Sequence, residues 1–302
     1  MLRRSFLSFS IPVVLAAQRT RPLPPPLDAL HGNIERITES VKAKWGIYVK
    51  CLETSEEIAI HADDQMDTMS VIKIPLMVEA FSQIEAGKFK LTDRVTLRND
   101  DKRPGTGIIR SLDEGVALTI HDLLTLMIIV SDNTATDLMF RQVGGIEPVN
   151  DLMKTYQLTH TRAVGTAKTW FEALRAADSA EEFHRKGDHP FGLSSPRDMG
   201  KLLERIKTGN AVSKQAGDQM LSIMRAQVYR TRLPKYVTNF TIPHKTGDFL
   251  PYIGNDVGIF ESATRNVIAC VFTANHFGSG PNLEDAIARI GEQIADYFTY
   301  HG

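Results

Sequence analysis

LTIHDLLTLMIIVSDNTATDLMFRQVGG, residues 118–145, is the stretch on which the reading of this chain turns. Leu123, Leu126, Met127 and Val130 recur at helical spacing behind Thr119, whose side chain can close a helix start with Asp122 three residues on. A second helix is predicted from Thr134 to Val143. It stops at Gly144-Gly145, because glycine takes the left-handed conformation that ends helices at no steric cost. The polar tripeptide Ser131-Asp132-Asn133 is thereby held in a short loop between two apolar helices. A polar loop anchored on both sides is well suited to presenting side chains to a cleft.

Outward from this pair, residues from about 70 to 230 read as mainly helical, and strand character lies at the two ends of the chain. On the N-terminal side an amphipathic helix, Leu27 to Ala43, follows the Pro-rich link Arg21 to Pro26. Two strand-like runs come next, Trp45 to Glu53 and Glu57 to His61. On the C-terminal side the runs are Tyr236 to His244, Tyr252 to Glu261 and Asn266 to Asn275, and a last helix spans Leu283 to Tyr300. Strands from distant segments with helices between them imply an α/β fold, an α+β sandwich with one five-stranded sheet built from both chain ends. The sheet lobe is expected over about 27–65 and 235–302, and an inserted all-helical lobe over about 66–234. The site belongs in the cleft between them.

Two further tripeptide-scale elements flank the loop in order. Upstream is Ser70-Val71-Ile72-Lys73, at the head of the predicted helix SVIKIPLMVEAFSQIEAG, so that Lys73 shares a helix face with Ser70. Pro75, one turn into this helix, either removes an amide donor and kinks it or falls within the first turn of a helix that starts slightly late, where the missing amide costs nothing. Downstream is Lys245-Thr246-Gly247, which continues an extended run and precedes a turn, the position of a sheet edge. A second copy, Lys207-Thr208-Gly209, ends the helical run SPRDMGKLLERIK and reads as a helix stop. A lysine ammonium becomes a usable base only when burial or a neighbouring cation lowers its pKa, and Lys73 with Lys245 offers both. The amide of Ser70, at a helix start, is unsatisfied and can help hold an oxyanion.

Composition narrows the function classes. The 302 residues carry 35 lysines and arginines against 36 aspartates and glutamates, so no basic surface for a nucleic-acid backbone is expected. Residues 1–17 have the layout of a signal peptide. Arg3 and Arg4 precede Ser5-Phe6-Leu7 in the manner of a twin-arginine leader, and the apolar stretch is too short to span a bilayer. An exported, periplasmic or secreted protein without a stable membrane anchor follows as the expectation, with residues 18–302 as the catalytic domain. Cys51 and Cys270 both sit in strand-like runs and read as buried thiols; a disulfide between neighbouring strands has poor geometry. The nine histidines show no metal-binding pair, so neither metal nor cofactor is expected.

The three ordered motifs, together with SSPRDMGKLLERI and NDVGIF, make the chain from about Leu27 to Tyr300 resemble the class A β-lactamases, within the superfamily of penicillin-recognising serine enzymes. The resemblance implies an antiparallel sheet and an acyl-enzyme mechanism. Ser70 would be the nucleophile, Lys73 its base and Ser131 a proton relay to the leaving nitrogen. Asn133 would bind the substrate amide side chain, and Lys245 and Thr246 its carboxylate. Gly247 would complete the binding strand, and Asp248 would give the second oxyanion amide. Its acidic side chain is unusual there. Asp132 reads as a loop-holding residue ahead of a catalytic one, and His244 as a satisfied strand histidine ahead of one that tunes Lys245. The implied partner is a small β-lactam or a peptidoglycan stem peptide, and the implied state a monomer.

The resemblance breaks at one point. The family's Glu-x-x-Leu-Asn loop motif is missing from RAVGTAKTWFEALRAADSAEEFHRKGDHPFG, where the nearest carboxylate is Glu172 in Phe171-Glu172-Ala173-Leu174. Glu172 as the deacylating base and Glu172 as a surface residue both remain open, and Glu181 and Glu182 read as a solvated charge run. With a working base the enzyme is a β-lactamase. Without one it behaves as a D-Ala-D-Ala peptidase or esterase-like enzyme that keeps its acyl group.

Overall fold

The computed structural model describes residues 26–300, so the expected leader, residues 1–17, lies outside the described residues. Among the described residues ten strands and ten α-helices follow one another. The strands are β1 (Lys44–Cys51), β2 (Glu57–Ile60), β3 (Met66–Asp67), β4 (Arg94–Thr96), β5 (Ala117–Thr119), β6 (Arg162–Ala163), β7 (Gly192–Ser194), β8 (His244–Phe249), β9 (Ile253–Glu261) and β10 (Asn266–Ala274). The helices are α1 (Leu27–Ser40), α2 (Lys73–Glu85), α3 (Ile120–Ile129), α4 (Asn133–Val143), α5 (Glu147–Thr155), α6 (Ala167–Ala176), α7 (Ala180–Lys186), α8 (Pro196–Thr208), α9 (Lys214–Arg225) and α10 (Gly280–Tyr300).

The main sheet is antiparallel, in the order β2-β1-β10-β9-β8, and so joins the two ends of the chain. Its central strand shows how it divides the molecule. In β10, Val267, Ala269 and Val271 point into a core closed by α1 and α10, while Ile268, Cys270 and Phe272 point into the core of the helical lobe. Alternation with period two, apolar on both faces, is the pattern of a strand covered on both sides. The same alternation keeps the two cysteines apart. Cys51 belongs to the first core and Cys270 to the second, and both are free, buried thiols.

One expectation is corrected. The run Tyr236 to His244 is not a regular strand: before His244 there is a single bridge, Thr241 to Glu261, and Pro243 O accepts from the Ile259 amide at 3.1 Å. Val237, Phe240 and Ile242 are apolar because they pack into the core under α10, and Pro243 lacks the amide that a continuous ladder needs. The inserted lobe is the helical one expected, and it also carries two small sheets, β3-β7-β6 and β4-β5. Strands of two or three residues carry no periodicity that a sequence can reveal.

Three local features place the site. Thr119 and Asp122 form the reciprocal capping box at the start of α3, with Asp122 N–H donating to Thr119 Oγ1 at 3.0 Å and Thr119 N–H to Asp122 Oδ2 at 2.9 Å. Such a cap contributes about 1 kcal/mol. Asp132 accepts from the amides of Ala135, Ile108 and Ile109 at 2.7–2.9 Å, and so caps α4 and ties the loop 104–109 to it. Gly107, at φ +104°, lies so close that a Cβ there would meet Asp132 Oδ2 at 2.2 Å. Gly209 ends α8 in the left-handed conformation, so the second Lys-Thr-Gly copy is a helix stop.

Candidate active site

Ser70 sits in a single 3-10 turn, Met69–Ile72, that runs directly into α2. The turn is entered through Met69 at φ +46°, and the facing loop passes through Ser131 at φ +54°. Left-handed backbone at non-glycine residues is costly and persists only where the surroundings enforce it, so the two strained residues flank one point of the molecule. Pro75 lies in the first turn of α2, where its missing amide is harmless. Edge strand β8 closes the third side. A Cβ on Gly247 would meet Thr68 O at 2.3 Å and Ser70 N at 3.2 Å, so only glycine lets this strand approach the Ser70 amide.

These elements surround a cavity of about 290 Å³. Ser70, Ser131, Asn133 and Asp248 line it, with Gly105 and Thr106 at the rim. Behind this lining lie Lys73 and Lys245, both fully buried. Lys73 Nζ donates to Ser131 O at 2.8 Å, Ser131 Oγ at 3.0 Å and Asn133 Oδ1 at 3.0 Å. Lys245 Nζ donates to the same Ser131 Oγ at 3.1 Å and to Thr246 O at 2.7 Å. The Ser131 hydroxyl therefore accepts from two ammonium groups, which leaves its own proton free to point elsewhere.

Burial and the Lys245 cation push the Lys73 ammonium well below the usual lysine range, against the pull of Asp132, Asp137 and Asp248. Lys245 is pushed down to about 8, chiefly by burial and also by the Arg232 cation; Asp248 and Asp256 oppose the shift. A buried lysine held in this way can act as a base near neutral pH.

The wall that α6 forms is different in kind. Helix α6 turns Ala167, Trp170, Phe171 and Leu174 to the cavity, the i, i+3, i+4, i+7 set of a single helix face. Phe191, with Phe249 at the end of β8 and Leu250 just after it, extends this apolar wall. Trp170 packs edge-on to Phe171, Phe183 and Phe249, with ring centroids 5.0–5.4 Å apart.

The structure thus brings Ser70, Lys73, Ser131, Asn133, Lys245, Thr246, Gly247 and Asp248 together, and leaves Glu172 out. Glu172 is exposed and does not line the cavity, because its position on α6 is about 100° round from Phe171 and directed away from the apolar face. Of the two readings left open for Glu172, this helix phase favours the surface residue. Glu181 is exposed and Glu182 partly so, and they pair with Arg185 and Lys186 along α7, a solvated charge run. His244 is a buried strand histidine that is only half satisfied: its Nδ1 is bonded to Asp256 Oδ1 at 2.9 Å, and its Nε2 has no hydrogen-bond partner among the described residues. Arg232 escaped sequence reasoning. It is buried and bonds Asn255 O, Asp248 and Glu284, yet it stands in an irregular segment with no motif around it.

Comparison with known proteins fits this geometry. Residues 29–298 match the Beta-lactamase enzyme family. Beta-lactamase VEB-1 of Pseudomonas aeruginosa is 24% identical over 289 residues, covering 90% of this chain and 91% of the relative. Beta-lactamase L2 of Stenotrophomonas maltophilia is 25% identical over 232 residues, covering 73% and 72%. Among solved structures, a beta-lactamase from Sphaerobacter thermophilus superposes with a TM-score of 0.78 at 26% identity, covering 91% of this chain and 97% of its own. A mutant of PBP-A, solved as an acyl-enzyme complex with penicillin G, gives a TM-score of 0.77 at 25% identity, covering 92% and 99%.

Proposed function

The chain belongs to the Beta-lactamase enzyme family, and from that premise we propose that it is a serine hydrolase that opens β-lactams and related acyl compounds through an acyl-enzyme on Ser70. The observation that carries this reading is the hydrogen-bonded array Lys73, Ser131, Lys245 packed behind the cavity that Ser70 lines. In the acylation step neutral Lys73 takes the Ser70 proton while Ser70 Oγ attacks the carbonyl carbon. The amide of Ser70 and that of Asp248 stabilise the oxyanion. As the C–N bond breaks, Ser131 gives its proton to the leaving nitrogen and is reprotonated by Lys73, which balances the step. Asn133 and β8 orient the substrate.

Hydrolysis of the acyl-enzyme needs a second base, and α6 offers only apolar side chains to the cavity. Asp248 is the one acidic residue lining it among the described residues, and it is held by Arg232. The reading is therefore a fast first half-reaction and a slow second one. A second reading, rapid turnover as a class A β-lactamase, is favoured by the β-lactamases among the relatives, which match over most of the chain. Mixing the protein with a chromogenic cephalosporin while recording intact mass separates the two. A lasting Ser70 adduct is expected; turnover without an adduct supports the second reading, and neither colour nor adduct would defeat both.

A further inference from the structure

The strand that closes the cavity carries an acidic residue where the site would meet the far side of its substrate. Residues two apart on a strand share a face, so Thr246 and Asp248 of β8 point the same way, and Asp248 lines the cavity with Ser70. The Thr246 hydroxyl is buried and has no hydrogen-bond partner among the described residues. The Lys245 ammonium is bonded to Ser131 Oγ and to Thr246 O, so both groups belong to the stretch of β8 that would meet an acceptor group of the substrate.

That place is electrostatically occupied. Arg232 directs one guanidinium nitrogen at both Asp248 and Glu284, and another at Asn255 O. Asp256, also fully buried, pairs with His244 and accepts from the Leu233 amide. Around Lys245 and Arg232, two cations, stand three carboxylates: Asp248, Asp256 and Glu284. Asp248 acts on both cations, raising the pKa of Lys245 and of Arg232. A carboxylate entering from the substrate would find its charge already answered, with the half-exposed Asp248 carboxylate beside it. Like charges placed together in a partly desolvated site disfavour binding strongly.

We propose that Asp248 is a specificity-determining residue that disfavours a free carboxylate on the leaving side of the scissile bond. The favoured substrates are then esters and amides with an apolar acyl arm, which packs on Trp170, Phe171 and Leu174, and an uncharged or cationic leaving side. The hydrogen-bond acceptor that satisfies Thr246 is a carbonyl in such a substrate. This inference rests on Ser70 acylation and refines which acyl donors reach it.

The test compares a cephalosporin acid with its methyl ester, following formation of the Ser70 adduct by rapid-quench intact mass. In the unaltered protein the ester is expected to acylate about tenfold faster than the acid, and Asp248→Asn to shift the ester-to-acid ratio about tenfold toward the acid. An acid that acylates the unaltered protein faster than its ester overturns the proposal without recourse to any variant. A ratio unmoved in folded Asp248→Asn overturns it also. Absence of an adduct with either compound would instead defeat the underlying Ser70 reading, and is distinguishable because the ratio then has no value.

Discussion

The two walls of the cavity differ as much as any two regions of this molecule. On the side of β8, α2 and the Ser131 loop two buried lysines, Lys73 and Lys245, are hydrogen-bonded to the Ser131 hydroxyl and held below the usual lysine range. On the side of α6 the groups are aromatic and aliphatic, fixed by ring packing rather than by polar contacts. A two-step acyl transfer needs a base in each half-reaction. On the proposed reading the first wall supplies one, Lys73, and the second offers none, so the contrast predicts that the half-reactions respond to different substitutions.

The largest effects belong to the polar wall. Ser70→Ala is expected to abolish the covalent adduct. Lys73→Ala should slow adduct formation by about two orders of magnitude or more, the usual loss when a general base is removed. Peptide mapping after treatment with a slow β-lactam checks the first, and an adduct on Ser131 or Ser194 would break the assignment. Lys73→Ala acylating at the unaltered rate would remove the polar wall's claim to the first half-reaction.

The apolar wall is tested by supplying what it lacks. Leu174 lies on the cavity face of α6 and is only partly buried, so Leu174→Glu places a carboxylate among the cavity-facing positions of that helix. An unoptimised base of this kind is expected to shorten the lifetime of the adduct about tenfold. The decay of the adduct mass after removal of free β-lactam measures it. A lifetime unchanged in a folded variant would mean that water, rather than a base, is what α6 excludes.

The pH profile sharpens the same comparison. Lys73 must be neutral to act, so acylation rises with pH through its lowered pKa. Lys245 is charged below about 8 and loses its charge as pH rises through that value. The acylation rate of a carboxylated substrate is therefore expected to fall above pH 8, while that of its methyl ester stays level. Stopped-flow rates from pH 5 to 10 would show this, and a shared descending limb would place the second titration elsewhere than on Lys245.

The polar wall was largely legible in the sequence and the apolar wall only in part, for a physical reason. Ser70 and Lys73 are neighbours on one helical run, and Ser131-Asp132-Asn133 and Lys245-Thr246-Gly247 are contiguous. Each motif survives as a short string, and helix or strand geometry alone puts its members on one side. Thr119 with Asp122 and Gly144 announced their helix ends in the same local way. Arg232 has no local signature, since its partners Asp248 and Glu284 lie 16 and 52 residues away and meet it only in the fold. The run before His244 failed because its apolar residues serve packing rather than pairing, two causes that a short stretch does not distinguish. Helix α6 could have been phased from Ala167, Trp170, Phe171 and Leu174, and that phase already turns Glu172 outward.

The smallest expected effect is accordingly at Glu172. If the comparison of the two walls holds, Glu172→Gln removes a charge from the solvent side of α6 and nothing from the cavity. Exposed substitutions of this kind stay within about 0.5 kcal/mol in stability. Acylation and deacylation should both remain at the unaltered rates, because neither transition state is touched. A deacylating base behaves otherwise: its loss spares acylation and makes the acyl-enzyme accumulate. Rapid-quench mass spectrometry of Glu172→Gln distinguishes the two patterns within a single time course. Accumulation would require α6 to rotate by roughly 100° or more when substrate is bound, since one residue step on a helix turns the side chain by that angle. It would also transfer the second half-reaction to the wall described here as apolar.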